Sequence, residues 1–173
     1  IGSGQSPQGN DPHKVAEYIR KSGIVIESKL PFDDTVDSFS TYMSPNPLPG
    51  NVTAGGKVWL QKYEFKHEWA FGSDYTLEEK QNALLQSLLY SPVGIAVCAW
   101  KKRGNIYVKD RTDRDNHWCL LVGGERGKSW KVLDSYVDDD FIKELDWNYP
   151  FKYAKLYVLN KVEKKPGLFS CSL

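Results

Sequence analysis

The sequence predicts an α+β protein, with helices packed against an antiparallel, β-barrel-like sheet. Residues 117–122 and 130–134 are mostly apolar and alternating, and they flank a turn-forming Gly-Gly-Glu-Arg-Gly-Lys run, which is typical of a β-hairpin. Aromatic residues make up 13% of the chain, including six Trp and ten Tyr. This abundance favours β-rich packing and a ligand groove over a helical bundle. The length of 173 residues is enough for a substantial core.

The first predicted element is a helix near the N-terminus. Asp11 followed by Pro12 is typical of an N-cap and a first helical position, and Gly23 is a favourable C-terminal stop. Between them lies an apolar stripe at helical spacing, formed by Val15, Ala16, Tyr18 and Ile19.

Residues 31–58 are expected to be irregular. Residues 44–50 are rich in proline, which cannot donate a continuous hydrogen-bond ladder and favours extended backbone. Such a long connection indicates a functional surface loop or an insertion. A short helix is predicted at residues 57–63, although the preceding Gly55-Gly56 disfavours helix.

The next segment predicts a strand and then a helix. Residues 64–71 alternate, and this pattern makes His67 a packed face residue of a strand rather than a ligand. Thr76 and Glu79 have the spacing of a capping box, which opens a helix running to about residue 90. The side chains expected to be buried in this helix are Leu77, Leu84, Leu85, Leu88 and Leu89.

The second half of the chain reads as further strands that close, or nearly close, a sheet. A strand is predicted from Val93 to Trp100, and another begins at Ile106 after a basic turn. Residues 109–115 form a charged loop that leads to His117, and residues 153–159 form the last strand.

The predicted hairpin places a histidine beside a carboxylate. With a turn centred on residues 125–126, Val132 faces Cys119 and Asp134 faces His117. Directly opposed residues on one face have Cβ atoms about 5 Å apart. A carboxylate at that distance can hold one ring nitrogen and fix the tautomer, leaving the other nitrogen for proton transfer.

Composition limits the classes of partner. The net charge of +1 gives no basic field for nucleic acid or an anionic membrane. No apolar run approaches the roughly 20 residues that span a bilayer. No signal-peptide pattern is visible, but the chain begins with Ile, so a leader could have been lost and the localisation stays open. The three cysteines lack metal-ligand spacing, so we expect reduced thiols, no metal and no cofactor.

Several segments in this order resemble the papain-like cysteine peptidases. Residues 91–97, residues 116–117 and residues 130–136 correspond to that family's Pro-Val-Ser-Val strand, its Asp/Asn-His-Ala-Val strand and its Trp-x-x-Lys-Asn-Ser-Trp-Gly strand. Residues 8–12, which lead into the first helix, look like the family's Asn-Gly-Gly segment lining the substrate cleft. The resemblance covers nearly the whole chain.

The resemblance implies a domain division and a set of site residues. Residues 1–30 would be the remnant of a helical left-hand domain, and residues 31–173 the barrel-like right-hand domain with a Pro-rich loop at 31–58. His117 would be the general base and acid, and Asp134 would orient it where most members have Asn. The implied substrate-binding residues are Gly9, Asn10, Pro12, Ala96, Asn116, Trp118 and Tyr136, of which Tyr136 would also replace the shielding Trp.

The chain departs from the family at the nucleophile. In that family the reactive Cys lies roughly 130–150 residues before its His, and counting back from His117 passes Ile1. Cys98 is expected in the middle of a strand, Cys119 lies two residues past His117, and Cys171 is in the C-terminal tail. We therefore expect the nucleophile to come from outside this chain, one option being a separate N-terminal segment.

These observations lead to a main hypothesis and two alternatives. The main hypothesis is a thiol peptidase, or its His-bearing portion, which acts on a peptide or protein substrate. In that case the intact protein would be a hydrolase, and this chain alone would be inactive. The first alternative is a non-catalytic papain-like binding or structural module. The second is another acyl-transfer enzyme with a Cys-His-Asp triad, such as a transglutaminase-like or amidase-like protein, a reading motivated by Asp134.

Overall fold

The computed structural model describes residues 10–31, 38, 48–135 and 141–162. The helical elements in chain order are α1 (Pro12–Ser22), a 3-10 turn (Glu27–Lys29), α2 (Gly50–Leu60) and α3 (Leu77–Leu88). The strands are β1 (Tyr63–Trp69), β2 (Val93–Val97), β3 (Lys101–Arg103), β4 (Ile106–Val108), β5 (His117–Glu125), β6 (Ser129–Leu133), β7 (Ile142–Asp146) and β8 (Ala154–Lys161). None of the helices in these described ranges is both long enough and apolar enough to cross a membrane.

The contacts divide the chain into two compact units. One comprises Ile1–Lys66 and Leu159–Leu173, and the other comprises His67–Val158. The division into residues 1–30 and 31–173 stays a prediction.

In the first unit, α1 forms where the sequence indicates it. The Asp11 side chain accepts a hydrogen bond from the backbone N–H of His13 at 2.8 Å, and Pro12 opens the helix. Gly23 follows the helix with a φ of 71°, a conformation that glycine adopts without the cost a Cβ would bring. Its N–H donates to the carbonyl of Ile19, so both ends of α1 are capped.

The prediction for α2 was wrong in its bounds. The helix begins at Gly50, directly after Pro49, and ends at Leu60, inside a stretch expected to be irregular. A Cβ on Gly56 would lie 2.2 Å from the carbonyl oxygen of Ser22, so glycine is what permits α2 to approach the end of α1. From the sequence alone Gly56 only disfavours a helix, because the packing that requires it involves a residue of another helix.

The sheet has eight strands in the order β1-β8-β2-β5-β6-β7-β4-β3. The expectation of a closed or nearly closed barrel was wrong: the sheet is open, and β1 and β3 are its edges. The described pairings of β2 with β5 and β8, of β6 with β5 and β7, and of β3 with β4 are antiparallel. The pairing of Tyr107 in β4 with Leu145 in β7 is parallel. The predicted α+β class with a mainly antiparallel sheet is confirmed.

Helix α3 and one face of the sheet form the core of the second unit. The capping box at Thr76 and Glu79 is present. Leu84 is fully buried, whereas Leu77 and Leu89 are exposed because they lie at the first helical position and the C-cap. The buried core residues are Phe71, Leu84, Val93, Ile95, Val97, Tyr107, Cys119, Leu121, Trp130, Val132, Leu145, Tyr149, Phe151 and Ala154.

The β5–β6 hairpin forms in a different register from the predicted one. Glu125 pairs with Ser129 across a three-residue loop, in which Gly127 has a φ of 77°. A bulge between Leu121 and Gly123 then shifts the pairing, so that Val132 lies opposite Leu121 instead of Cys119. On the His117 side of the bulge the slip amounts to two residues, and an even slip keeps the side chains there on their predicted face.

Candidate functional site

His117 and Asp134 meet at the open end of the β5–β6 hairpin. The Nε2 atom of His117 lies 2.6 Å from Oδ1 of Asp134, within ordinary hydrogen-bonding distance. In the observed register Asp134 lies diagonally across from His117 rather than directly opposite. Diagonal neighbours on one face remain within reach of long side chains, so the predicted contact forms although the predicted pairing does not.

The Asp134 carboxylate is fully buried and takes two further donors. Its side chain has no exposed area, while that of His117 is 11% exposed. Oδ2 of Asp134 accepts a hydrogen bond from Nε1 of Trp100 at 2.8 Å and one from Nζ of Lys143 at 2.9 Å. Lys143 is itself only 2% exposed, and its ammonium group lies 5.5 Å from the centre of the Trp100 ring.

This arrangement determines the chemical state of the pair. A buried carboxylate needs donors and a counter-charge, and Trp100 and Lys143 supply both. An ionised carboxylate can only accept hydrogen bonds, so the short contact assigns the proton to Nε2 of His117. In that tautomer of the neutral ring, Nδ1 is the nitrogen with an acceptor lone pair.

Trp100 also covers the pair. Its ring centroid lies 6.0 Å from that of His117, with an interplanar angle of 78°, and it packs edge-on against Tyr107 at 5.2 Å. The family resemblance implies that Tyr136 shields the His117–Asp134 pair, and Tyr136 lies outside the described residues. The sequence predicts Trp100 only as the last residue of a strand. No local pattern indicates its contact with the His117–Asp134 pair, because these residues lie far from it in the chain.

Asn116, one of the predicted substrate-binding residues, holds the chain that leads to Trp100. Its side-chain oxygen accepts a hydrogen bond from the N–H of Ala99 at 2.9 Å. Its own N–H donates to the carbonyl of Val97 at 3.0 Å. These two bonds tie the end of β2 to the start of β5. Asn116 therefore helps to fix Trp100 above the His117–Asp134 pair.

The loop before His117 is anchored by a buried ion pair. Nζ of Lys109 pairs with a carboxylate oxygen of Asp115, and the two side chains are 5% and 11% exposed. The N–H of Asp110 also donates to the carboxylate of Asp113 at 2.9 Å. These contacts fix the direction in which the loop delivers the chain to His117.

Ala96 and Trp118 are direct partners between β2 and β5. Because successive residues of a strand point to opposite faces, Trp118 lies on the face opposite His117. A Cβ on Gly94 would lie 2.8 Å from the Trp118 indole and 2.9 Å from the Tyr157 ring, so the indole lies directly over this glycine. Trp118 is also hydrogen-bonded to Tyr157, which fixes the indole in place.

The remaining predicted residues fall elsewhere. Asn10 and Pro12 belong to the first unit, where Asn10 is half-buried before α1 and Pro12 opens it. Gly9 lies outside the described residues, as does the tail that contains Cys171. The association of Gly9, Asn10 and Pro12 with His117 stays a prediction.

The buried Cys119 is an unreactive thiol. Burial, reinforced by the negative charge of Asp134, raises the pKa of Cys119 far above its usual range, so at neutral pH it carries no thiolate. Cys98 is half-buried, and its N–H donates to the Tyr149 hydroxyl at 2.9 Å. Among the residues that the structure describes, no three or more His, Cys, Asp or Glu side chains group as a metal site would require.

Comparison with known proteins indicates a fold but does not identify a family. No protein-family model matches the chain, and no curated protein matches it. The structure is similar to that of xylellain, a cysteine protease from Xylella fastidiosa, with a TM-score of 0.56 and 16% sequence identity. The likeness covers 90% of this chain and 63% of xylellain. It supports a papain-like fold.

Proposed function

We propose that this chain is the His-bearing portion of a papain-like thiol peptidase that hydrolyses peptide bonds. His117 is the general base and acid, Asp134 orients it, and the nucleophilic Cys is supplied from outside this chain. The observation that carries the proposal is the 2.6 Å contact between Nε2 of His117 and the buried Asp134 carboxylate. A buried acid that fixes one imidazole nitrogen is the requirement for directed proton transfer at the other.

The proposed reaction has two stages. Nδ1 of His117 takes the proton of the Cys thiol, and the thiolate attacks the carbonyl carbon of the substrate peptide bond. The imidazolium then donates that proton to the leaving amine as the C–N bond breaks, which leaves a thioester. In the second stage Nδ1 removes a proton from water as the water oxygen attacks the thioester carbon. The C–S bond then breaks, which releases the acid, and the imidazolium returns its proton to the sulfur to restore the thiol.

The state of Cys119 supports a nucleophile from elsewhere. This thiol lies on the same strand as His117, yet its raised pKa keeps it protonated. A thiol nucleophile needs thiolate character and an accessible position, and Cys119 is only 8% exposed.

We propose that the substrate binds as an extended peptide. Gly9 and Asn10 would offer backbone groups to it, as in the addition of a partial strand. Ala96 and Trp118 would line the pocket for the second substrate side chain. Because the Trp118 indole is bulky and fixed by Tyr157, small side chains are expected in that pocket.

The test is to express the complete reading frame and treat it with an irreversible, thiol-directed peptidase inhibitor. We expect labelling at a Cys that precedes residue 1. In His117→Ala, turnover should fall by about 10²–10⁴-fold, the usual contribution of a general acid–base. His13→Ala changes an exposed histidine of the first unit and serves as the matched control. Labelling at Cys98, or turnover unchanged by His117→Ala, would contradict the proposal.

A non-catalytic module is the second candidate. The observation in its favour is that Asp134 also forms a buried ion pair with Lys143, a contact that can hold the end of β6 to β7 without any catalysis. Absence of both labelling and turnover in the complete protein would leave this candidate standing. Cleavage of glutamine side-chain or cell-wall amides, with unfolded peptides left intact, would instead indicate a transglutaminase-like or amidase-like enzyme.

A further inference from the structure

Three neighbouring strands each bring one side chain to the same face of the sheet. His117 opens β5, Asp134 follows β6, and Lys143 lies in β7, and β5, β6 and β7 are consecutive in the sheet. Lys143 is the direct partner of Val132, which lies two residues before Asp134 and therefore on its face. The N–H of Asp134 donates to the carbonyl of Phe141 at 2.8 Å, which keeps the β6–β7 ladder in register up to the carboxylate.

The burial of Lys143 is unusual for its residue type. Lysine is almost never fully buried unless it is paired, yet Lys143 is 2% exposed. Its neighbour Ile142, at the start of β7, shows the reverse, since it is 46% exposed. The strand therefore turns the apolar side chain of Ile142 outward and the cation inward, and the cation ends 2.9 Å from Oδ2 of Asp134.

The charges around the carboxylate show why a cation is needed there. The described titratable groups that face it are His117 and Cys119 from β5 and Lys143 from β7, with Tyr107 of β4 behind Trp100. The Trp100 indole offers a hydrogen bond but no charge. Lys143 supplies the full positive charge that a buried carboxylate requires.

We propose that Lys143 is a positioning residue for His117, acting through Asp134. It keeps Asp134 ionised and aimed at Nε2, so that His117 is held in one tautomer and one orientation. Its part in catalysis rests on the proposed peptidase function. Its part in ordering the imidazole does not, because that effect is a property of the folded chain.

The experiment follows the hydrogen-bonded Nε2 proton of His117 by NMR. Its exchange rate with solvent and the ring nitrogen shifts are recorded on the full chain, and the signal is assigned by its loss in His117→Gln. In Lys143→Met we expect exchange to become about tenfold faster or more, since an unpaired buried carboxylate is costly and the contact should open. Lys143→Arg keeps the charge and should stay within about twofold of the parent.

Two variants serve as controls. Lys155→Met removes another buried lysine, which is 1% exposed and lies over the Trp69 ring, and it should leave the Nε2 proton unchanged. Trp100→Phe removes the other donor to Oδ2 and should keep slow exchange, because the cation remains. If Lys143→Met fails to fold, Lys143→Gln keeps an N–H donor without the charge and should also accelerate exchange.

The outcomes separate this proposal from the peptidase function. Parent-like exchange in Lys143→Met or Lys143→Gln, or equal acceleration in Lys155→Met, would overturn it. In the complete protein, Lys143→Met should lower kcat about 10–100-fold with little change in KM, as expected for a misplaced base. An unchanged kcat would refute the catalytic part while the peptidase function stood. If the complete protein has no turnover, but exchange of the His117 Nε2 proton is slow and depends on Lys143, only the peptidase function is refuted.

Discussion

The Trp100 indole donates to the same carboxylate oxygen of Asp134 that Lys143 contacts, at 2.8 Å. A side chain from the segment after β2 thus completes a site whose other members come from β5, β6 and β7. Trp100→Phe keeps the aromatic packing and removes the donor. We expect the free energy of unfolding to fall by about 1–3 kcal/mol, the cost of removing a partner from a buried polar group, as measured by urea denaturation.

Trp59→Phe is the matched control for this change. Trp59 is a half-buried residue of α2 that packs on Tyr63 with centroids 5.4 Å apart, a contact that Phe retains. A loss in Trp100→Phe no larger than the loss in Trp59→Phe would contradict the assigned role of the indole N–H.

The pairing of Asp134 with Lys143 predicts strong coupling between their substitutions. Asp134→Asn removes the carboxylate and leaves the Lys143 ammonium buried without it, which is expected to cost about 3–5 kcal/mol of unfolding free energy. The double variant Asp134→Asn/Lys143→Met removes both charges and should be more stable than the sum of the single losses predicts. A double-mutant cycle in urea should give a coupling of about 0.5–3 kcal/mol. Additivity of the two losses would show that the pair contributes no coupling.

The contact between Gly94 and Trp118 predicts that a single methyl group is disruptive. The Cβ of Gly94→Ala would lie 2.8–2.9 Å from the Trp118 indole and the Tyr157 ring. Because neither ring can move without breaking their hydrogen bond, we expect a loss of about 1–3 kcal/mol, typical of overpacking. The change in tryptophan fluorescence and the thermal midpoint both report it. Gly50→Ala, whose Cβ would meet nothing within 4 Å, should leave the fluorescence unchanged and should not lower the thermal midpoint.

The capping box of α3 predicts a pH-dependent loss of stability. Hydrogen bonds from the backbone N–H and the hydroxyl of Thr76 lower the pKa of Glu79 below 4.5. A carboxyl group with a depressed pKa stabilises the fold above its unfolded pKa, and this stabilisation disappears as the pH falls through the folded pKa. Thr76→Ala removes the hydroxyl that accepts from the N–H of Glu79 and donates to its carboxylate, so it should lower the free energy of unfolding at neutral pH.

The cost of Thr76→Ala should shrink as the pH is lowered through the range below 4.5. Urea denaturation of parent and variant at several pH values measures the difference. A constant difference across that range would show that the bond from the Thr76 hydroxyl to the Glu79 carboxylate takes no part in the stabilisation.

The β5–β6 hairpin shows how much of the candidate site could be predicted from the sequence. The alternation of residues 117–122 and 130–134 put His117 and Asp134 on one face. The pairing itself was off by two residues, because neither the three-residue loop nor the bulge after Leu121 leaves a mark in the pattern. The contact survived because the slip on the His117 side of the bulge is even and preserves the face of the side chains there.

The strand that carries Lys143 was missed for a different reason. The order Phe-Ile-Lys-Glu-Leu at residues 141–145 does not alternate in polarity, so it offers no strand signal. From the sequence alone Lys143 is expected at the surface, because the Asp134 carboxylate that pairs with it follows the neighbouring strand. The role of Trp100 could not be predicted either, because Asp134, which accepts the hydrogen bond from its indole N–H, lies far along the chain.

The sequence by itself determined the elements that depend on neighbouring residues: the caps of α1, the capping box of α3, and the face shared by His117 and Asp134. The tertiary structure alone decided the open sheet, the start of α2 at Gly50, and the four-residue cluster of His117, Asp134, Trp100 and Lys143. Caps and alternation are local, since they involve atoms only a few residues apart. Charge neutralisation inside a core depends on groups brought together across strands, and it acts only once those strands are paired.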